Sequence, residues 1–166
     1  MATLKMQGLE EYERLLSKLS SSETVRAVCG ATIYAGADIV ADAIREGVKS
    51  LPTVENNAHG TQSAPILGVT EEQKAGLLDG FGIAPMIREN GYYNVKLGFD
   101  GYNGVKTRAY PLGQPNSMIA RSINSGTSFR QKIPFVDRAV KSAKNKAEKA
   151  MAEKFDEQLR KETGGK

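Results

Sequence analysis

The 166 residues suit one domain, with 40% hydrophobic and 25% charged residues, few aromatics and no Trp. One Cys and one His exclude an internal disulfide and a zinc site built from Cys and His; no apolar run approaches the roughly 20 residues that span a bilayer. The formal charge of +4 is unevenly spread, since residues 121–149 hold eight basic and two acidic residues.

Residues 8–19 place Leu9, Tyr12, Leu15, Leu16 and Leu19 at three- and four-residue steps, the stripe of a short amphipathic helix. No secretory apolar stretch opens the chain, so a soluble cytoplasmic product is expected. Ser20 and Glu23 have the spacing of a capping box, and a second helix is expected from about Ser21 to Val48, before Pro52. Its apolar face runs through Val25, Val28, Cys29, Thr32, Ile33, Gly36, Ile39, Val40 and Ala43. Cys29 on that face reads as a buried reduced thiol. Small residues fill much of the remainder, and each internal Gly costs about 1 kcal/mol relative to Ala. Close approach of another backbone, in this chain or a neighbour, would offset that cost.

Residues 51–69 lose all periodicity and read as a long, mobile loop. Thr70 and Gln73 then have capping-box spacing for a short helix to about Asp79. Alternation of Tyr93, Val95, Leu97 and Phe99 with Asn94, Lys96 and Gly98 predicts one half-buried strand. Asn90-Gly91 before it marks a hairpin with a primed turn. Residues 110–116 form a proline-punctuated loop. Ile119 and Ile123 share one side of a helical turn, and residues 127–133 look extended. Pro134 opens a final helix whose stripe is Val136, Val140, Ala143, Ala147 and Ala150, continued by Met151, Phe155 and Leu159. Residues 160–166 are expected to fray. The whole is a single α+β domain over residues 1–166: N-terminal helices including one long Ala/Gly-rich helix, a small antiparallel sheet, and a long C-terminal helix.

Little points to chemistry. His59 lies in the long loop with no Cys nearby, Gly80-Phe81-Gly82 is a lone glycine pair without a nucleotide-binding context, and no phosphate loop or nucleophile elbow occurs. No catalytic, metal-ligating or cofactor-binding residue is identified, and no cofactor is expected. The basic residues Arg121, Arg130, Lys132, Arg138, Lys141 and Lys144 form a strip suited to nucleic acid or an acidic partner, so a nucleic-acid-binding module is one reading.

Residues 119–139, IARSINSGTSFRQKIPFVDRA, carry a second. The order Gly126-Thr127, a short basic segment from Arg130 to Lys132, Pro134-Phe135-Val136 and then Ala139 before a helix resembles the tail-completion (head–tail joining) proteins of tailed bacteriophages and phage-like particles. The Leu-rich first helix, the Ala-rich second helix and residues 70–103 are similar to versions in prophages of Gram-positive bacteria, so the resemblance covers most of the chain. Asn124-Ser125 stands where the family often has an acidic residue and an aromatic, and Arg138 where many members have proline. The resemblance implies a non-enzymatic virion protein at the neck, made in the host cytoplasm, with no membrane partner. It implies a homo-oligomeric ring of six copies between the head connector or stopper and the tail terminator and tail tube. Gly126, Thr127, Pro134, Phe135, Val136 and Ala139 would then serve packing or interfaces, and the basic residues would face the lumen, its DNA or a partner.

Overall fold

A computed structural model describes residue 17, residues 19–55 and residues 60–164. The helix expected over residues 8–19 falls almost wholly outside them.

Helix α1 spans Ser22–Lys49. Its cap is Ser21, whose side chain accepts from the Thr24 N–H at 3.1 Å; the expected Ser20 instead donates its hydroxyl to the Ser17 carbonyl at 3.0 Å. Only Ser20 has the capping-box spacing to Glu23, but Ser21 has the extended backbone that a cap requires and caps alone, with Thr24 at the third position. The most buried line on α1 is Ala37, Ala41, Ile44 and Val48, one step round from the expected face; Val40 and Ala43 pack partly buried beside it. By length and composition α1 is apolar enough to cross a membrane, contrary to the expectation that no segment would be. In this fold α1 packs chiefly against the C-terminal helix, and 33% of its apolar stretch is buried.

Residues 51–69 contain no helix or strand among those described, yet both ends are tied down. Val54 donates to the Val69 carbonyl at 2.9 Å and Val69 to that of Pro52 at 3.0 Å, so Leu51 and Val69 enter the core. Helix α2, Glu71–Gly80, starts at the expected capping box, with both reciprocal bonds between Thr70 and Gln73 present.

The strand region departs from expectation. β1 (Phe81–Ile83) pairs antiparallel with β4 (Leu97–Phe99), and β2 (Ile87–Glu89) with β3 (Tyr92–Asn94). These are successive parts of one hairpin, closed at Asn90 and Gly91, whose φ values of 51° and 86° are those of the expected primed turn. Three residues, Ala84, Pro85 and Met86, lie opposite only Val95 and Lys96, so the hairpin carries a bulge and the single expected strand is broken there. Pro85 has no N–H to give to a ladder, which accounts for the break at this point.

Helix α3, Asn116–Ser125, buries Ile119, Ala120 and Ile123. Residues 127–130 form a tight turn rather than a strand, with Thr127 and Arg130 bonded to each other's backbone. Helix α4, Phe135–Thr163, follows Pro134 as expected and continues into the tail expected to fray, ending where Gly164 takes the left-handed conformation. Its buried line is Phe135, Ala139, Ala143 and Ala147, whereas Val140 is exposed. The expected stripe was one residue off at its start, because Phe135 and not Val136 sets the inward face.

α1 and α4 run antiparallel. A side chain at Gly47 would meet Phe135, and one at Gly36 would meet Met151 at 2.6 Å and the Ala147 carbonyl at 3.5 Å. The glycines of α1 thus have their close partner within the chain. The architecture is α+β: a long helical pair, two short helices and a bent hairpin around a core of Ala41, Ile44, Val48, Leu77, Phe81, Ile119, Ile123 and Phe135.

Candidate interaction surface

The segment from the end of α3 to the first turns of α4 is held by short-range geometry. Gly126 ends α3 at φ 74° and ψ 167°, a region open essentially to glycine alone. Thr127 is exposed and starts the turn. Pro134 occupies the cap of α4 but offers no side-chain acceptor. The acceptor comes from α3: Asn124 Oδ1 takes the Val136 N–H at 3.0 Å and the Asp137 N–H at 3.4 Å, while Asn124 Nδ2 donates to Asp137 Oδ1 at 3.1 Å. An acidic side chain at residue 124 would meet the same two N–H groups but would lose the bond to Asp137 Oδ1 and face that carboxylate. Sequence reasoning missed this role because the cap is supplied across a loop and not from the position preceding the helix.

Phe135 is 4% exposed. Its ring stands edge-on to Phe99 of β4, with centroids 6.0 Å apart, and Phe99 lies 4.9 Å from Phe81. Phe135 thus seals the start of α4 against the hairpin through a cluster of three rings. Val136 is half-buried and Ala139 buried. Phe135 and Ala139 also line a groove of about 850 Å³ with Gly47, Leu51, Leu67, Lys132 and Arg138. Leu67 is exposed at its rim, so motif residues and two of the basic residues border one surface.

The basic strip divides. Arg121, Lys132, Arg138, Lys141 and Lys144 are exposed, and Lys144 pairs with Glu148 at 3.8 Å. Arg130 is not part of an outward face. It is 5% exposed, its Nη1 donates to the Gly68 carbonyl, and its Nε has no partner. Burial lowers its pKa from the ordinary arginine value. The reason is local: the turn at residues 127–130 reverses the chain and directs residue 130 inward against residues 66–68, where Ile66 N–H meets the Phe129 carbonyl and Gln131 N–H the Ile66 carbonyl. A charge count along the sequence cannot register such a reversal.

The proline-punctuated loop spans residues 110–115 and is tied at its base by bonds from Asn103 to Gln114 and from Gln114 to Val105, whereas Asn116, expected within it, is the buried first residue of α3. Leu112 is 83% exposed and Tyr102 63%, so the loop carries an exposed apolar tip. Among the described residues no group of three or more His, Cys, Asp or Glu is placed to hold a metal ion, and Cys29 is a free, half-buried thiol.

No protein-family profile matches the chain, and no curated protein or solved structure matches it significantly.

Proposed function

We propose that this chain is a structural subunit of the neck of a tailed bacteriophage or phage-like particle, completing the tail and joining it to the head connector as a homo-oligomeric ring of six copies. The observation that carries the reading is the ordered set Gly126-Thr127, Arg130 to Lys132, Pro134-Phe135-Val136 and Ala139 leading into a long helix. The geometry supports it: Gly126 and Phe135 fix a rigid corner, and the groove beside that corner and the tip at Leu112 present exposed apolar side chains. Mechanism on this reading is complementarity of shape and surface, with no covalent step and no cofactor. The partners are neighbouring copies, the connector or stopper, the tail terminator and the tail tube. The test is location: an affinity-tagged chain expressed with its particle genes should copurify with assembled particles and be labelled between head and tail by electron microscopy. A chain recovered only from the soluble, unassembled fraction would refute the reading.

A second reading, a nucleic-acid-binding module, is favoured by Lys132, Arg138 and Lys141, which are exposed and lie outside every ion pair among the described residues. Duplex DNA passing through a ring lumen would meet the same charges, so the two readings share this surface. Binding by the isolated chain at low salt separates them from a purely structural role.

A further inference from the structure

Helix α2 turns Gln73 and Leu77 to the core and leaves Glu71, Glu72, Ala75 and Asp79 exposed. At 3.6 residues per turn those four fall on one arc of roughly 100°, so the outer face of α2 is almost wholly carboxylate. Glu71 and Glu72 occupy the first turn, where the helix dipole favours negative charge. Asp79 occupies the last turn, where the dipole opposes it, and no basic residue is there to offset it. Just beyond the helix, Asp100 is exposed, with its N–H bonded to the Gly80 carbonyl at 2.8 Å. The one cation of α2, Lys74, turns away and donates to the Leu51 carbonyl at 3.0 Å. Lys106 borders the same hollow as Glu72 but does not pair with it. None of these four carboxylates is in an ion pair among the described residues.

The converse holds at the start of α4. Arg138 and Lys141 are exposed one turn apart, and Lys132 borders the same groove as Arg138. None of the three is in an ion pair among the described residues. Val140, exposed between Arg138 and Lys141, adds apolar surface. Helices α1 and α3 each pack against both α2 and α4 and stand between them, so the two charged faces of one copy do not neutralise each other.

We infer that the acidic face of α2 in one copy of this chain docks on the basic face of α4 in the next. Complementary potentials of this kind fix the register of a contact and disfavour wrong partners. Two different faces that meet head to tail build a ring or a filament, not a closed two-fold pair. Duplex DNA would account for the cations alone and would be repelled by the carboxylates, whereas a second copy accounts for both faces. The contact deepens the ring reading by naming the faces that meet. It is tested on the purified chain, so it can fail with the chain still at the neck and hold with the chain elsewhere.

The full chain, freed of nucleic acid by nuclease, is followed by sedimentation velocity at rising protein concentration in low salt. Wild type should associate, and the association should weaken as salt is added. Glu71→Lys with Asp79→Lys, and separately Arg138→Glu with Lys141→Glu, should each weaken it by about tenfold or more. Mixed in equal amounts, the two reversed variants should associate again, because the reversed α2 face of one now matches the reversed α4 face of the other. That recovery also shows that both are folded. A wild-type chain that stays monomeric in low salt overturns the inference, as does an association that neither reversal changes. Failure of the mixture to associate, with both variants melting like wild type by circular dichroism, overturns it too. Association that appears only when a short DNA duplex is added assigns the cations to DNA and likewise overturns it.

Discussion

Phe135 stands edge-on to Phe99 at 6.0 Å between ring centroids, and so fastens the first turn of α4 to the hairpin. Edge-to-face aromatic pairs contribute about 0.5–1.5 kcal/mol beyond the area they bury. Phe135→Ala removes that pair and leaves a cavity beside Gly47 and Leu51, so it should destabilise the domain by about 3–5 kcal/mol. Phe135→Leu should lose less. Urea unfolding monitored by circular dichroism measures both, and an Ala variant within about 0.5 kcal/mol of wild type would refute the packing described.

Gly126 provides a backbone test. At φ 74° and ψ 167° any other residue is strained, and an added Cβ would meet Lys132 at 3.0–3.2 Å. Gly126→Ala should cost about 1–3 kcal/mol. The loss should exceed that of Gly82→Ala, where an added Cβ meets nothing within 4 Å. Equal losses at the two positions, measured by thermal melting, would contradict the assigned geometry.

On α4, hydrogen bonds from Lys154 and Lys161 hold the Glu157 carboxyl well below its ordinary 4.5, at about 2. A folded pKa below the unfolded one means that the unfolded chain binds more protons, so this contribution is present above about 4.5 and is lost as pH falls toward 2. The group is exposed, so the effect should be small and should shrink with salt. Glu157→Gln should flatten the part of the stability-versus-pH curve between these values at low salt. Identical curves for variant and wild type would show that the two lysines do not engage Glu157.

The exposed basic residues predict an electrostatic signature. If they meet DNA, binding of the isolated chain should weaken linearly on a log–log plot of affinity against salt, and Arg138→Glu with Lys141→Glu should abolish it. Arg130→Gln should change that slope little, because Arg130 is buried. A fluorescence-anisotropy titration with a short duplex checks both, and an equal loss of slope for all three positions would contradict the division of the strip into exposed and buried parts.

Elements governed by local rules were legible in the sequence. Pro134 and the Thr70–Gln73 box mark real helix starts, and Asn90-Gly91 a real primed turn. What escaped depends on contacts far apart in the chain. The bulge at Pro85 breaks a strand whose alternation looks continuous from Tyr93 to Phe99, because pattern reading sees one strand and not its partner. Val140 fits a helical stripe but faces outward, since burial of Phe135 against Phe99 fixes the rotation of α4. Asn124 caps α4 from the end of another helix. Arg130 looked like one more cation in a run, and only the turn at Thr127 shows that it points inward. The surface bordered by Phe135, Ala139, Lys132 and Arg138 was named residue by residue, but that Gly47, Leu51 and Leu67 complete its groove required the fold.

The proposed joining of heads to tails is tested most directly by the fraction of joined particles assembled when this chain is absent. With its coding sequence deleted from an otherwise intact particle locus, electron microscopy should show filled heads and free tails side by side with almost no joined particles, and supplying the chain in trans should restore joining. An undiminished fraction of complete, joined particles in its absence would contradict the account.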